Sequence, residues 1–379
     1  MADRITSLPV AGECPFTIDR AVMTQHWRDA TFAHWPVEAD AVRALLPPML
    51  EPDLFEGRAW VSLVGFEMDA LRIPGVPPIP TTHRFVEFNV RTYVTGPDGP
   101  GVWFCSLDVP NWLPVLVARA GFALPYDKGS VAVTRHDGRI GWFVQRTWPE
   151  AADAELVVRP TGVMVDAGTD DLATFLTARW RLYASTRGGV VLTAPVQHEP
   201  WPLEQAELVS VSTGVATAAG LPVEGEPILH YASGVHVRVG APRPVQVTDL
   251  PSGELTVHFD DDCGFCSACV RLLSRVTDPS VRYEPARLLD DPRLATLSEV
   301  AIIVTGDGTP AAGVDGVAAV LRRSGLLGRV CASLLRAPVI HGIAGVVYAW
   351  IAARRQKISR KLGLKAACEL PIRPPANPQ

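Results

Sequence analysis

Lysine is almost missing from this chain: of 35 basic residues only Lys128, Lys357, Lys361 and Lys365 are lysines. Nearly every cation is therefore a guanidinium, which neither deprotonates near neutral pH nor forms a Schiff base. Also missing is an apolar core in the opening MADRITSLPVAGECPF long enough for a signal peptide, so a reducing cytoplasm is the expected compartment. Internal repeats and low-complexity tracts are absent, which excludes solenoids and arrays. The seven cysteines are odd in number, and Cys14, Cys105, Cys331 and Cys368 stand far apart, which argues against a secreted disulfide scaffold. A net charge of -5 exerts no overall pull on polyanions, so no nucleic-acid partner is expected.

What is present suits two domains. The 379 residues include 34 prolines, which predicts many turns. A Pro- and Gly-rich stretch, GAPRPVQVTDLPSGE, separates two periodic regions. We read residues 1–20 as a loose arm, 21–242 as a β-rich domain, 243–253 as a linker, 254–372 as an α/β domain and 373–379 as a tail.

In the first domain, period-two alternation from Phe85 to Val94 sets Glu87, Asn89, Arg91 and Tyr93 on one face of a strand. Gly96-Pro97-Asp98-Gly99 then predicts a hairpin turn into Val102–Val109. Further strands are expected at 59–67, 130–136, 139–147, 155–159 and 233–239. Helices are expected at 37–46, 111–120 and 171–182, the last capped by Asp170 or Asp171. The polar face has two readings. Facing inward, Arg91 could hold a carboxylate ligand while Glu87 acts as base or partner; facing outward, it is a solvated surface. Arg119 and Tyr126, flanking a turn, are further pocket candidates, or core residues with satisfied tips. Lys128 invites Schiff-base decarboxylation, against the reading of an exposed turn lysine beside Gly129. His34 and His198 lack ligand spacing, so no metal is expected there.

The second domain alternates as strand 255–259, helix 264–276, strand 281–285, strand 300–304, then helices 314–323, 326–335 and 339–358, an order that suits a small α/β layer fold of the thioredoxin type. Its chemical feature is Asp260-Asp-Asp-Cys263-Gly-Phe-Cys266, running from a strand into a helix. A helix amino terminus favours a thiolate at Cys263, and three-residue spacing puts Cys266 on the same face, so Cys263 is expected to attack and Cys266 to resolve. Asp260 is either a proton acceptor or one of three candidate caps. Cys269 extends the series, but Leu273 stands where a cluster motif needs a fourth cysteine, so Cys269 is read as a small core residue and no metal or other cofactor is expected.

Asp260, Cys263 and Cys266 resemble the D-x-x-C-x-x-C signature of the DCC proteins, and Gly306-Asp307-Gly308, the Val314–Leu321 helix and Tyr348–Arg355, with Cys368 at its end, extend the likeness over about 254–372. The resemblance implies a thioredoxin-like fold and thiol-disulfide oxidoreductase activity. The first domain resembles the YqjF-like family through Phe32-Ala-His34-Trp35, Trp60-Val-Ser-Leu-Val, Glu87-Phe-Asn89-Val-Arg91, Phe175-Leu-Thr-Ala-Arg179, His198-Glu-Pro-Trp201 and His230-Tyr231. That implies an acetoacetate decarboxylase-like curved antiparallel sheet closing around a cavity.

The apolar run 337–353 is followed by Arg354, Arg355, Lys357, Arg360, Lys361 and Lys365. It is short for a span and contains Pro338 and two glycines, so a core helix with a basic solvated end is expected and a membrane partner is not. Peripheral contact with an anionic leaflet is the alternative. The expected function is a dithiol oxidoreductase acting on a protein or small-molecule thiol or disulfide, fused to a domain that binds a small carboxylate or apolar ligand. The alternatives are a ligand-binding protein with a structural or sensing dithiol, and a Schiff-base decarboxylase.

Overall fold

Alternating and β-branched sequence makes the first two thirds of the chain nearly all strand. The computed structural model describes residues 12–77, 83–165, 169–186, 190–245, 250–298, 301–364 and 366. Two units divide it: Met1–Leu46, Leu50–Ala184 and Leu192–Arg243 form the first, and Pro47–Met49, Ser185–Val191 and Pro244–Gln379 the second.

The first unit contains β1 (Met23–Val37), β2 (Glu51–Pro52), β3 (Ala59–Arg72), β4 (Phe85–Gly96), β5 (Gly99–Val109), β6 (Tyr126–His136), β7 (Arg139–Trp148) and β8 (Ala152–Met164). It continues through β9 (Arg181–Ser185), β10 (Val191–His198), β11 (Leu203–Ser212), β12 (Ile228–Val239) and the short edge strand β13 (Arg243–Pro244). Helices α1 (Ala39–Arg43), α2 (Trp112–Gly121), α3 (Asp171–Thr177) and α4 (Gly214–Ala218) interrupt them. The sheet runs from β5 through β6, β7, β8, β11, β12, β1 and β3 to β4, and β4 pairs back onto β5. It therefore closes on itself, which satisfies the ladder groups that an open sheet leaves at its edges.

The β4–β5 hairpin forms on the expected turn, with Gly96 opposite Gly99 and Gly99 at φ +104°, where a side chain would be strained. Asp170 caps α3 by accepting from the Ala173 amide at 2.8 Å. Two expectations change. The helix at 37–46 shrinks to Ala39–Arg43, because Trp35 and Pro36 belong to β1, a 15-residue strand held between β12 and β3. The helix at 171–182 ends at Thr177, and Arg181–Ser185 joins the sheet parallel to β5.

The second unit contains β14 (Ser252–Phe259), α5 (Gly264–Leu273), β15 (Val281–Pro285), α6 (Pro292–Ser298), β16 (Ile303–Asp307), β17 (Ala311–Ala312), α7 (Gly313–Leu321), α8 (Leu326–Leu335), α9 (Pro338–Ala352) and α10 (Arg355–Lys361). Its four-stranded sheet has the order β15-β14-β16-β17. β14 and β15 are parallel across α5, and β16 returns antiparallel to β14. Leu255, Val257, Val304, Ala318 and Val320 form its core. The helix expected at 339–358 breaks into α9 and α10, and α6 was not anticipated. Cys368, Lys365, the arm's residues 1–11, the linker's 246–249 and the tail at 373–379 lie outside the described residues.

Candidate functional site

Alternation places every second side chain of β4 on one side, and in the first unit that side meets a cavity of about 350 Å³. Glu87 and Arg91 line it together with Tyr126, Arg179, His198 and Trp27, and most of the remaining wall is apolar. The inward reading of this face is the observed one for Glu87 and Arg91.

Glu87 is buried, and its Oε2 accepts from the Tyr126 hydroxyl at 2.7 Å. Burial pushes the Glu87 carboxyl up to about 7, against the Tyr126 and Asn89 hydrogen bonds that pull it down. Burial and the Glu87 carboxylate hold the Tyr126 hydroxyl well above its usual range, so it remains a donor. Asn89 is not part of the cavity wall; it packs behind Glu87, its Nδ2 3.4 Å from Oε1.

Arg91 is buried, and its Nη2 donates to the Leu176 carbonyl at 3.0 Å. Its Nε has no hydrogen-bond partner among the described residues, and its guanidinium lies 5.5 Å from the Phe32 ring and 5.7 Å from that of Tyr93. Arg179, which the sequence did not mark as a site residue, brings a second guanidinium. Asp53 accepts from its Nη1 at 2.5 Å and the Phe175 carbonyl from its Nε at 2.6 Å, while its Nη2 is buried without a partner. His198 was likewise missed. Its Nδ1 lies 2.6 Å from the Glu199 carbonyl oxygen, so Nδ1 carries the proton. Burial holds its pKa down to about 4, and Trp180 and Trp201 pack on its ring at 4.6 and 5.1 Å.

Two other expectations change. Arg119 does not line the cavity: its Nε donates to the Tyr126 carbonyl at 2.6 Å and its Nη2 to Asp127 at 2.8 Å, so it fixes the backbone that carries Tyr126. Tyr93 turns to a separate buried network, in which Ser62 Oγ lies 2.6 Å from both the Tyr93 hydroxyl and His34 Nδ1. Lys128 is also off the cavity wall, with Nζ 3.3 Å from the Gly129 carbonyl. Among the described lining residues there is no lysine, so the amine that Schiff-base chemistry requires is not at this site.

In the second unit Cys263 caps α5, and its Sγ accepts from the Cys266 amide at 3.3 Å. Both cysteines are free thiols. Their accessibility differs: Cys263 is 0% exposed, whereas Cys266 is partly exposed and lines a cavity of about 130 Å³ with Cys269, Tyr348 and Arg355. The cover over the start of α5 comes from the end of the chain. A Cβ on Gly264 would clash with the Leu364 carbonyl oxygen and meet Ser359 Oγ at 2.6 Å. Burial, followed by the interaction with Cys263, raises the Cys266 thiol, while Arg355 opposes that rise. Asp260 pairs with Arg355 at 2.8 Å and accepts from the Asp262 amide at 3.1 Å. Its carboxylate and the two sulfurs lie within 4.8 Å of one another. Three donors, one of them shared with Arg355, fall short of the four of a closed structural zinc site. Cys269 is exposed and not the small core residue expected.

Residues 24–236 match the family DUF2071, described as an uncharacterized conserved protein, and residues 257–361 match the DCC1-like thiol-disulfide oxidoreductases. The uncharacterized protein YqjF of Bacillus subtilis is 39% identical over 213 residues, which cover 56% of this chain and 87% of that protein. Solved structures similar to the first unit include an acetoacetate decarboxylase from Legionella pneumophila, 11% identical with a TM-score of 0.45, over 65% of this chain and 98% of that one. Another is the enduracididine biosynthesis enzyme MppR complexed with pyruvate, 14% identical with a TM-score of 0.44, over 63% and 98%.

Proposed function

The chain belongs to the DUF2071 family of uncharacterized conserved proteins, and we propose that its second unit, outside the region that family matches, exchanges disulfides through Cys263 and Cys266. Support comes from the DCC1-like match and from the strand order β15-β14-β16-β17, which suits the thioredoxin-like fold expected from the sequence. The observation that carries the reading is the asymmetry of the pair: Cys263 is buried under a backbone donor, and Cys266 faces a cavity.

This asymmetry favours the protein as disulfide donor. An incoming thiolate attacks the sulfur it can reach, Cys266 Sγ, and forms a mixed disulfide there. The electron pair of the broken S–S bond leaves on Cys263, whose sulfur accepts from the Cys266 amide at the start of α5. The substrate's second thiolate then attacks its own sulfur in the mixed disulfide and releases Cys266, which takes a proton. The substrate dithiol loses two electrons and the protein disulfide gains them. Asp260, beside both sulfurs, is placed to pass that proton. A disulfide-exchange assay of the wild type against Cys263→Ser tests the reading, and equal rates would remove it.

A second reading concerns the first unit. Arg91 is a buried guanidinium with no carboxylate within 4 Å among the described residues, and leaving such a charge without a partner is costly. A small, largely apolar carboxylate would complete it, with Glu87 as proton donor or acceptor elsewhere on the cavity wall. Native mass spectrometry of the purified protein, with and without Arg91→Ala, tests this. A retained small acid that the variant loses supports it; equal retention by both refutes it.

A further inference from the structure

No acidic residue occurs between Asp315 and Glu369, although the chain as a whole carries a net charge of -5. Ten arginines and lysines fall in the same interval. α8 and α9 lie inside it, and each leaves an apolar stripe in solvent. On α8, Leu326 and Leu327 are 80% and 78% exposed and Leu334 is 52% exposed; on α9, Ile343, Val347 and Trp350 are exposed by half or more. The α9 positions recur at i, i+4 and i+7, one face of a helix. This is not the core helix expected from the sequence.

Apolar stripes of this size are uncommon on a free surface, and the charge around them indicates what covers them. α10, RQKISRK, continues directly from α9 with four cations and no acid. At the boundary stands Trp350, with the Arg354 guanidinium 4.7 Å from its ring. An indole beside a guanidinium at the junction of apolar and basic surface is the arrangement that sits at a bilayer's headgroup level. With 15 residues α9 is too short to span the hydrocarbon, and no helix among the described residues is long and apolar enough to cross a membrane. A second copy of this chain would bring the same positive charge against itself.

We propose that α8, α9 and α10 form a peripheral docking surface for an anionic phospholipid bilayer, the apolar stripes entering the interface and the exposed α10 cations Lys357, Arg360 and Lys361 meeting lipid phosphates. Flotation of the full-length protein tests this with vesicles of phosphatidylcholine alone and vesicles in which a third of the lipid is phosphatidylglycerol. The wild type should float with the anionic vesicles only, and less as salt is raised. Lys357→Glu with Arg360→Glu, and separately Ile343→Glu with Trp350→Glu, should each lower recovery about tenfold. All four side chains are exposed, so unchanged thermal unfolding is expected and verifies folding. Failure to float on either vesicle, equal flotation on both, or variants that float like the wild type would overturn the proposal. So would light scattering that shows a wild-type dimer split by the Ile343→Glu, Trp350→Glu variant, since a second copy would then be the cover.

Discussion

Tyr126 donates its hydroxyl to Glu87 Oε2 at 2.7 Å, joining residues 39 positions apart on β6 and β4. The bond forms because Arg119 anchors the Tyr126 carbonyl and because alternation on β4 turns Glu87 inward. Replacing Tyr126 with Phe removes the main hydrogen bond that lowers the carboxyl's pKa. Titration of the Glu87 carboxyl by NMR should then show it about one unit higher than in the wild type; an unchanged midpoint would mean that burial alone sets it.

The Glu87 carboxyl also makes stability depend on pH. Its folded pKa, about 7, lies above its ordinary value of 4.5, so the folded state binds the proton more tightly than the unfolded state. Its contribution is complete below about pH 4.5 and is lost as pH rises through 7, about 3 kcal/mol in all. Glu87→Gln keeps an acceptor for Tyr126 and has no charge to bury. In urea unfolding the variant should be more stable than the wild type at pH 8 by about 1–3 kcal/mol, with the advantage gone at pH 4.

Asp53 and Arg179 are almost fully buried and pair at 2.5 Å. Asp53→Asn leaves the guanidinium without its counter-charge and should cost about 3–5 kcal/mol in denaturant unfolding. A loss below 1 kcal/mol would mean that Arg179 finds another partner.

Much of this was legible in the sequence, for identifiable reasons. The Phe85–Val94 strand, the Gly96–Gly99 turn and the Asp170 cap are local signals, and each forms, although only Glu87 and Arg91 of the polar face line the cavity. The first strand was not legible, because its Pro36 and interspersed polar residues are held by pairing on both sides with β3 and β12, a tertiary effect. That Arg91 lacks a carboxylate partner could not be read either, since it depends on which carboxylates fail to reach it. Helix position and spacing located the dithiol, but not which of its sulfurs is accessible, because the residues that cover Gly264 arrive about 100 positions later.

That cover makes its own prediction. Gly264→Ala places a methyl group against the Leu364 carbonyl, which must move, at a cost of about 1–3 kcal/mol. Iodoacetamide should alkylate Cys263 several-fold faster in this variant than in the wild type. Equal rates would show that other residues bury the sulfur.

In the proposed reaction, exchange enters through Cys266 and leaves through Cys263. The direct measurement is to oxidise the protein, mix it with a small thiol, quench with acid within the first turnover, and map the adduct by peptide mass spectrometry. The mixed disulfide is expected on Cys266, with Cys263 recovered as a free thiol. An adduct on Cys263, or oxidised protein in which these two cysteines never pair, would contradict it.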